Sequence, residues 1–356
     1  MKRVAPTLAH RMAGFGLIEI LVSMVIGMFG VLIMLQVLNV SEEQKRTTTG
    51  GNDAMNEGVL ALYAIQKDVR MSGYGISDPK ILGCRIILRA GVELPALAPV
   101  VINPGNIPAA DANTDSLLVF YSNSYGTPQG DVVIGAGNTV QTPSAFTVND
   151  WVVVGPAVRP APCALTLDRV TNIAGGAVTL ASGTAAAVGA TLFNLGQTYR
   201  AVGYAIRNGN LTTCDYTVAA VDCSVPGSWN SIADNIVSLR VQYGRDNSAP
   251  AMDGVVDQYD QATPDPAVTP NTLCNWSRVS AARMAVVARS ALIERDDVTA
   301  AGGVVWEGSA ADNPAGSTAA PVVLTANADW RKYRYRVFQG LVPIRNMNWM
   351  GVVTGC

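Results

Sequence analysis

Gly14-Phe15-Gly16-Leu17-Ile18-Glu19 opens an apolar run that continues Ile20-Leu21-Val22-Ser23-Met24-Val25-Ile26-Gly27-Met28-Phe29-Gly30-Val31-Leu32-Ile33-Met34-Leu35-Gln36-Val37-Leu38. Wound as an α-helix, Phe15 to Leu38 measures about 36 Å, enough for a hydrocarbon core of about 30 Å. Before it stands the short cationic flank MKRVAPTLAHRMAG, and after it comes Ser41-Glu42-Glu43. That asymmetry keeps the N-terminus cytoplasmic and sends the remaining chain across the membrane. No A-x-A-like pattern follows Leu38, so the run does not read as an ordinary cleaved secretory signal. Glu19 is the only ionisable group in the run. A carboxylate in a spanning helix costs about 2.5 to 3.5 kcal/mol on insertion scales, which marks Glu19 as functional and in need of a cationic partner.

Outward from this segment, the chain has ample material for a core, with 49% hydrophobic residues in 356. The formal net charge is −2, and three of the cations, Lys2, Arg3 and Arg11, precede residue 15. Lysine is missing between Lys80 and Lys332, so no polybasic stripe follows a phosphate backbone and nucleic acid is not expected as a partner. The six cysteines, Cys84, Cys163, Cys214, Cys223, Cys274 and Cys356, all lie beyond the apolar run, as an oxidising compartment requires. None has C-x-x-C spacing, so they read as structural disulfides with about 15 possible connectivities. Cys214 and Cys223 are the first choice, bridging the ends of a short loop.

From Met55 the pattern becomes amphipathic, with Met55, Val59, Leu62, Tyr63 and Val69 at helical intervals and Asn56, Glu57, Gln66, Lys67 and Asp68 on other faces. Gly73-Tyr74-Gly75 punctuates the end of this helix, and Thr47 to Gly51 is poor helix material where a break or bend is expected. Beyond Pro79, short Val-, Thr- and Tyr-rich runs alternate with Gly, Pro, Asn and Asp. Leu117 to Tyr121, Trp151 to Val154, Val178 to Ala181, Ile236 to Tyr243, Arg278 to Arg289 and Tyr333 to Ile344 read as strands. Asn208-Gly209 between Tyr204 to Arg207 and Asn210 to Thr213 predicts a hairpin with a type I′ turn. Pro104 to Thr114, Ala249 to Asn271 and Gly302 to Ala320 read as surface loops. The fold class is α+β: leader 1–14, transmembrane helix 15–38, amphipathic spine 39–75, and a mainly antiparallel β-rich domain over 76–356.

Catalytic chemistry finds little footing. The sole histidine is His10, which removes histidine-dependent triads and H-E-x-x-H sites from the body of the chain. Phosphate-loop and dinucleotide motifs are missing as well, so neither an enzyme nor a bound cofactor is expected. Asp296-Asp297 reads as strand neighbours pointing to opposite faces, not a shared-proton dyad. The arginines of Tyr333-Arg334-Tyr335-Arg336-Val337 read as a solvated strand face with aromatics inward. The loop holding Asp246, Asn247, Asp253, Asp257 and Asp260 is oxygen-rich, yet its spacing departs from an EF-hand. It reads as a solvated loop, and no metal site is assigned.

Gly14-Phe15 with Glu19 at the basic-to-apolar junction resembles the class III signal of type IV prepilins. The stretches Gln66-Lys67-Asp68-Val69-Arg70-Met71-Ser72-Gly73-Tyr74-Gly75, Ile236-Val237-Ser238-Leu239-Arg240-Val241-Gln242-Tyr243-Gly244, Tyr333-Arg334-Tyr335-Arg336-Val337-Phe338 and Val342-Pro343-Ile344-Arg345-Asn346 extend the resemblance to PilW-type minor pilins. Residues 80 to 200 carry no recognisable motif of that kind. The resemblance implies cleavage after Gly14 by a membrane-embedded prepilin peptidase, methylation of the new N-terminal Phe15, and pairing of Glu19 with the Phe15 amine of a neighbouring subunit. Glycine suits the cleavage position because it has no Cβ. The implied partners are other minor and major pilins, the pilus assembly platform, a tip adhesin and the inner membrane. The implied role is priming of pilus assembly in support of twitching motility and adhesion. Two other readings stay open: a minor pseudopilin of a type II secretion system, and a membrane-anchored binding protein or adhesin that does not polymerise. The familiar pilin proline some twenty residues into the helix is missing here, and Gly27 and Gly30 offer close helix packing instead.

Overall fold

A computed structural model describes residues 16–249, 251–264, 271–353 and 356. The chain divides into two units, Met1–Gly51 and Asn52–Cys356. In the first unit the described backbone is helical from Leu17 onward, within α1 (Leu17–Met71). The expected break at Thr47 to Gly51 is not seen: helix runs through it. Threonine and glycine each cost a few tenths to about 1 kcal/mol in a helix, and propagation between two long helical flanks outweighs that. Thr48 Oγ1 donates to the Gln44 carbonyl at 2.9 Å, so its hydroxyl is satisfied within the helix.

In the second unit the last part of α1 precedes seventeen strands among the described residues. They are β1 (Arg85–Arg89), β2 (Val92–Leu94), β3 (Val100–Ile102), β4 (Leu117–Tyr121), β5 (Asp131–Gly135) and β6 (Thr139–Val140). Next come β7 (Trp151–Gly155), β8 (Ala164–Ala174), β9 (Ala177–Leu180), β10 (Thr191–Gly196), β11 (Arg200–Arg207) and β12 (Asn210–Asp215). The last are β13 (Asn230–Ala233), β14 (Ile236–Arg245), β15 (Gln258–Asp260), β16 (Val279–Arg289) and β17 (Tyr335–Pro343), with the short α2 (Asn271–Ser277) before β16. The α+β class holds.

The strands form three groups. In the first, β8, β7, β10, β5, β6 and β9 pair in that order, and β9 returns to β8, closing an antiparallel barrel. Closure leaves these strands without a free edge. Val133, Val140, Phe146, Val152, Val170, Val178, Leu180 and Leu192 fill a core of its own. The β1–β2 hairpin adds to β8 by a parallel pairing. The second sheet runs β13-β12-β11-β4-β3, and the third β15-β14-β16-β17. These two sheets share the main core, which includes Ile65 and Val69 of α1 and Trp276 of α2.

The hairpin β11–β12 pairs Arg207 with Asn210. Asn208 and Gly209 between them have φ of 52° and 71°, the left-handed pair that a type I′ turn needs. Two loop expectations change. The Ala249 to Asn271 segment contains β15, whose Asp260 pairs with Tyr243, and Gly302 to Ala320 contains a 3₁₀ turn at Glu307–Ser309. Asp296-Asp297 lies in a bend after β16, not on a strand, and Asp297 forms an ion pair with Arg331 at 2.8 Å.

Candidate functional site

Leu17 to Glu42 is long and apolar enough to cross a membrane, the single such helix among the described residues. Its side chains are exposed, which for a continuous apolar stretch calls for a surrounding other than water. The Gly16 carbonyl accepts the Glu19 and Ile20 amides at 2.9 and 3.3 Å and starts the helix. Glu19 therefore sits in the first turn, where the positive end of the helix favours a carboxylate. Ser23 Oγ donates to the Glu19 and Ile20 carbonyls, so its hydroxyl is satisfied without leaving the helix. Among the described residues Glu19 takes part in no ion pair. Gly14 and Phe15 lie outside the described residues. Chemically, this end of the helix offers one negative charge on an apolar surface.

The later part of α1 is fixed to the β sheets by small residues and polar latches. Ala54, Gly58, Ala61, Ile65 and Val69, spaced three or four apart, are buried. The Phe338 ring of β17 lies where a Gly58 side chain would be, and Gly340 faces Gln66. Glycine at 58 is thus required by space. The sequence face built on Met55, Val59, Leu62, Tyr63 and Val69 is corrected: Met55, Val59 and Tyr63 are 47%, 52% and 62% exposed, and Leu60 joins them at 58%. Two apolar stripes compete on this helix, and the sheets take the one whose small residues allow close approach.

Asp68 anchors that docked face. Its carboxylate accepts the Tyr204 hydroxyl of β11 at 2.6 Å and the Tyr121 hydroxyl of β4 at 3.3 Å. Burial first, and then the Asp68 charge, push both phenols above their ordinary range, so they remain neutral donors. Arg200, on the same strand as Tyr204, pairs with Asp215 of the neighbouring β12 at 2.7 Å. At the helix end the Asn346 amide donates to the carbonyls of Met71 and Ser72 at 3.1 and 2.9 Å, satisfying groups that a helix leaves open. Glu57 accepts the Asp234 amide at 3.1 Å. Sequence reading missed Asp68, Gly58 and Asn346 in these roles, because their partners lie far away along the chain. Gly73 and Gly75, at φ of 83° and 78°, follow the helix end where the sequence expects its stop.

The cysteines are joined as Cys84–Cys163, Cys214–Cys223 and Cys274–Cys356. Cys214–Cys223 lies in the second unit and Glu19 in the first. In the acidic loop, the carboxylates are spent on the loop itself. Asp246 accepts the Ser248 and Gly254 amides, Asp257 accepts the Asn247 amide, and Asp260 holds Arg245 at 2.6 Å. Among the described residues no three His, Cys, Asp or Glu side chains gather as a metal would need.

Comparison with known protein families matches residues 216–346 to PilW, described as Type IV Pilus-assembly protein W. The matched segment runs from the residue after β12 through Asn346, and so contains Phe338, Gly340 and the amide that ends α1. It supports a type IV pilus-related protein. No curated protein and no solved structure matches the chain.

Proposed function

We propose that the chain is a minor pilin: a non-enzymatic, single-pass subunit of the bacterial inner membrane, with a cytoplasmic N-terminus, that enters the type IV pilus and helps to prime its assembly. The observation that carries this reading is the PilW match over residues 216–346, the segment that grips α1. Pilus assembly is favoured over a secretion pseudopilus by the same match.

In this reading the prepilin peptidase cuts after Gly14, Phe15 becomes the methylated N-terminus, and Glu19 receives the Phe15 amine of an adjacent pilin. The charge pair removes the cost of holding a lone carboxylate among apolar helices. The exposed stripe Met55, Val59 and Tyr63 is the face of α1 left for neighbouring helices, with other minor and major pilins as partners. Twitching motility and adhesion follow as consequences of fibre assembly, and a tip adhesin is a further partner. Mass spectrometry of the membrane-extracted chain tests the processing step. An N-terminal peptide beginning at Phe15 with one added methyl is expected, whereas a chain beginning at Met1, or after Leu38, overturns it.

A further inference from the structure

Between the tip of the β11–β12 hairpin and the ends of β16 and β17 lies a cleft of about 350 Å³, within the size range of small-ligand sites. It belongs to no part of the helix-docking apparatus. Arg289, the last residue of β16, lines it and lies over the Tyr333 ring at 4.6 Å. Other half-buried or buried arginines are spoken for. Arg240, Arg245 and Arg334 hold carboxylates, and Arg159 and Arg207 donate to backbone carbonyls. Arg289 has neither among the described residues. Among the described residues its side chain makes one hydrogen bond, to Asn235 Oδ1 at a long 3.4 Å, and its buried Nε has no acceptor. A guanidinium left short of acceptors in a cleft calls for an anion.

The rest of the lining narrows the class. Tyr335, Asn208 and Asn327 add neutral polar groups, while Val237 and the buried Leu324 add an apolar surface. Burial pushes the Tyr335 phenol up to about 12, so it stays a neutral hydroxyl. Asp111 is the nearby carboxylate, and it is occupied: its two oxygens accept the Asn208 and Gly209 amides at 3.0 and 2.8 Å, fixing the hairpin tip as one wall. Among the described residues Arg289 is the one cation lining the cleft, which suits a single negative charge over a dianionic phosphate. We infer that this cleft binds an acidic sugar residue, its carboxylate held by Arg289, its hydroxyls by Tyr335 and the two asparagine amides, and its C–H face by Leu324 and Val237. The inference is independent of the pilus reading, since it concerns what the folded body recognises.

Titration of the full chain in detergent with glucuronic acid, glucose and acetate, read by calorimetry, tests it. Glucuronic acid is expected to bind, and glucose or acetate about tenfold or more weakly in comparison, as each lacks part of the ligand. R289Q is expected to lose about tenfold in affinity, the scale of one charge-assisted contact, with its thermal midpoint retained. Y335F and N327A, which remove a hydroxyl and an amide without touching the charge, should each weaken glucuronic acid and leave acetate unchanged. Absence of glucuronic acid binding overturns the inference. So does acetate, or a peptide with a free C-terminal carboxylate, binding as tightly as the sugar. Should R289Q fail to fold, unchanged sugar affinity in folded Y335F and N327A overturns it equally.

Discussion

Asp68 concentrates in one side chain the attachment of a helix to a sheet. It receives the hydroxyls of the buried Tyr204 and the half-buried Tyr121, so the consequences of removing each partner differ. Tyr204→Phe deletes one hydrogen bond and should cost about 0.5 to 1.5 kcal/mol, whereas Asp68→Ala strands the hydroxyl of the buried Tyr204 at about 1 to 3 kcal/mol and also removes the Tyr121 contact. Urea unfolding of the two variants measures the difference, and equal losses would contradict the latch. Tyrosine burial also has a signature in pH. Tyr199 and Tyr243 are pushed up to about 12, by burial above all. An unfolded phenol titrates near pH 10, so the folded state holds its protons more tightly than the unfolded state does. The stabilisation is complete below about pH 10 and is lost as pH rises through about 12. Unfolding monitored across that window should become progressively easier, and flat stability from neutral pH to about 12 would contradict it.

At the level of elements, α1 explains where sequence reading succeeds and where it stops. The apolar run from Leu17, the glycines at 73 and 75 and the Asn208-Gly209 turn are set by local chemistry, namely hydropathy, chirality and the left-handed backbone, and so can be read directly. The buried face of α1 cannot be. Met55, Val59 and Tyr63 look like core by periodicity, but the choice belongs to Phe338, which fits only over Gly58. The barrel is equally hidden, because its closure depends on β6 meeting β9 and on β10 meeting β5 and β7, pairings between segments far apart along the chain. Among the candidate site residues Glu19 is legible from its chemical isolation. Asp68 is not, since its tyrosines sit 53 and 136 residues away. Gly58→Val forces the β17 ring aside and should destabilise by about 1 to 3 kcal/mol, while Val59→Ala on the exposed stripe should change little. Thermal melts of the two variants distinguish the faces. The disulfides provide a graded test of chain entropy. Opening Cys84–Cys163 or Cys274–Cys356, with separations of 79 and 82, should cost more than opening Cys214–Cys223, with a separation of 9. Losses are expected near about 2 to 4 kcal/mol for paired serine variants, with Cys214–Cys223 at the low end.

Taken as a whole molecule, the chain joins an apolar helix with Glu19 in its first turn to a body made of a closed barrel and two sheets. The segment matched to PilW supplies Asp234, Phe338, Gly340 and Asn346 against α1, the Asp68 latch comes from Tyr121 and Tyr204 outside it, and the barrel, residues 131–196, also lies outside the match and has its own core. The account predicts that the body folds without help from Glu19, because that residue takes part in none of the core contacts. The direct measurement is the amount of surface pili in cells lacking this chain, complemented with wild type or with Glu19→Ala, alongside the amount of each protein in the membrane fraction. Glu19→Ala is expected to reach the membrane at the wild-type level yet leave pili depleted. Full restoration of pili by Glu19→Ala, or normal pili in cells without the chain, would contradict it.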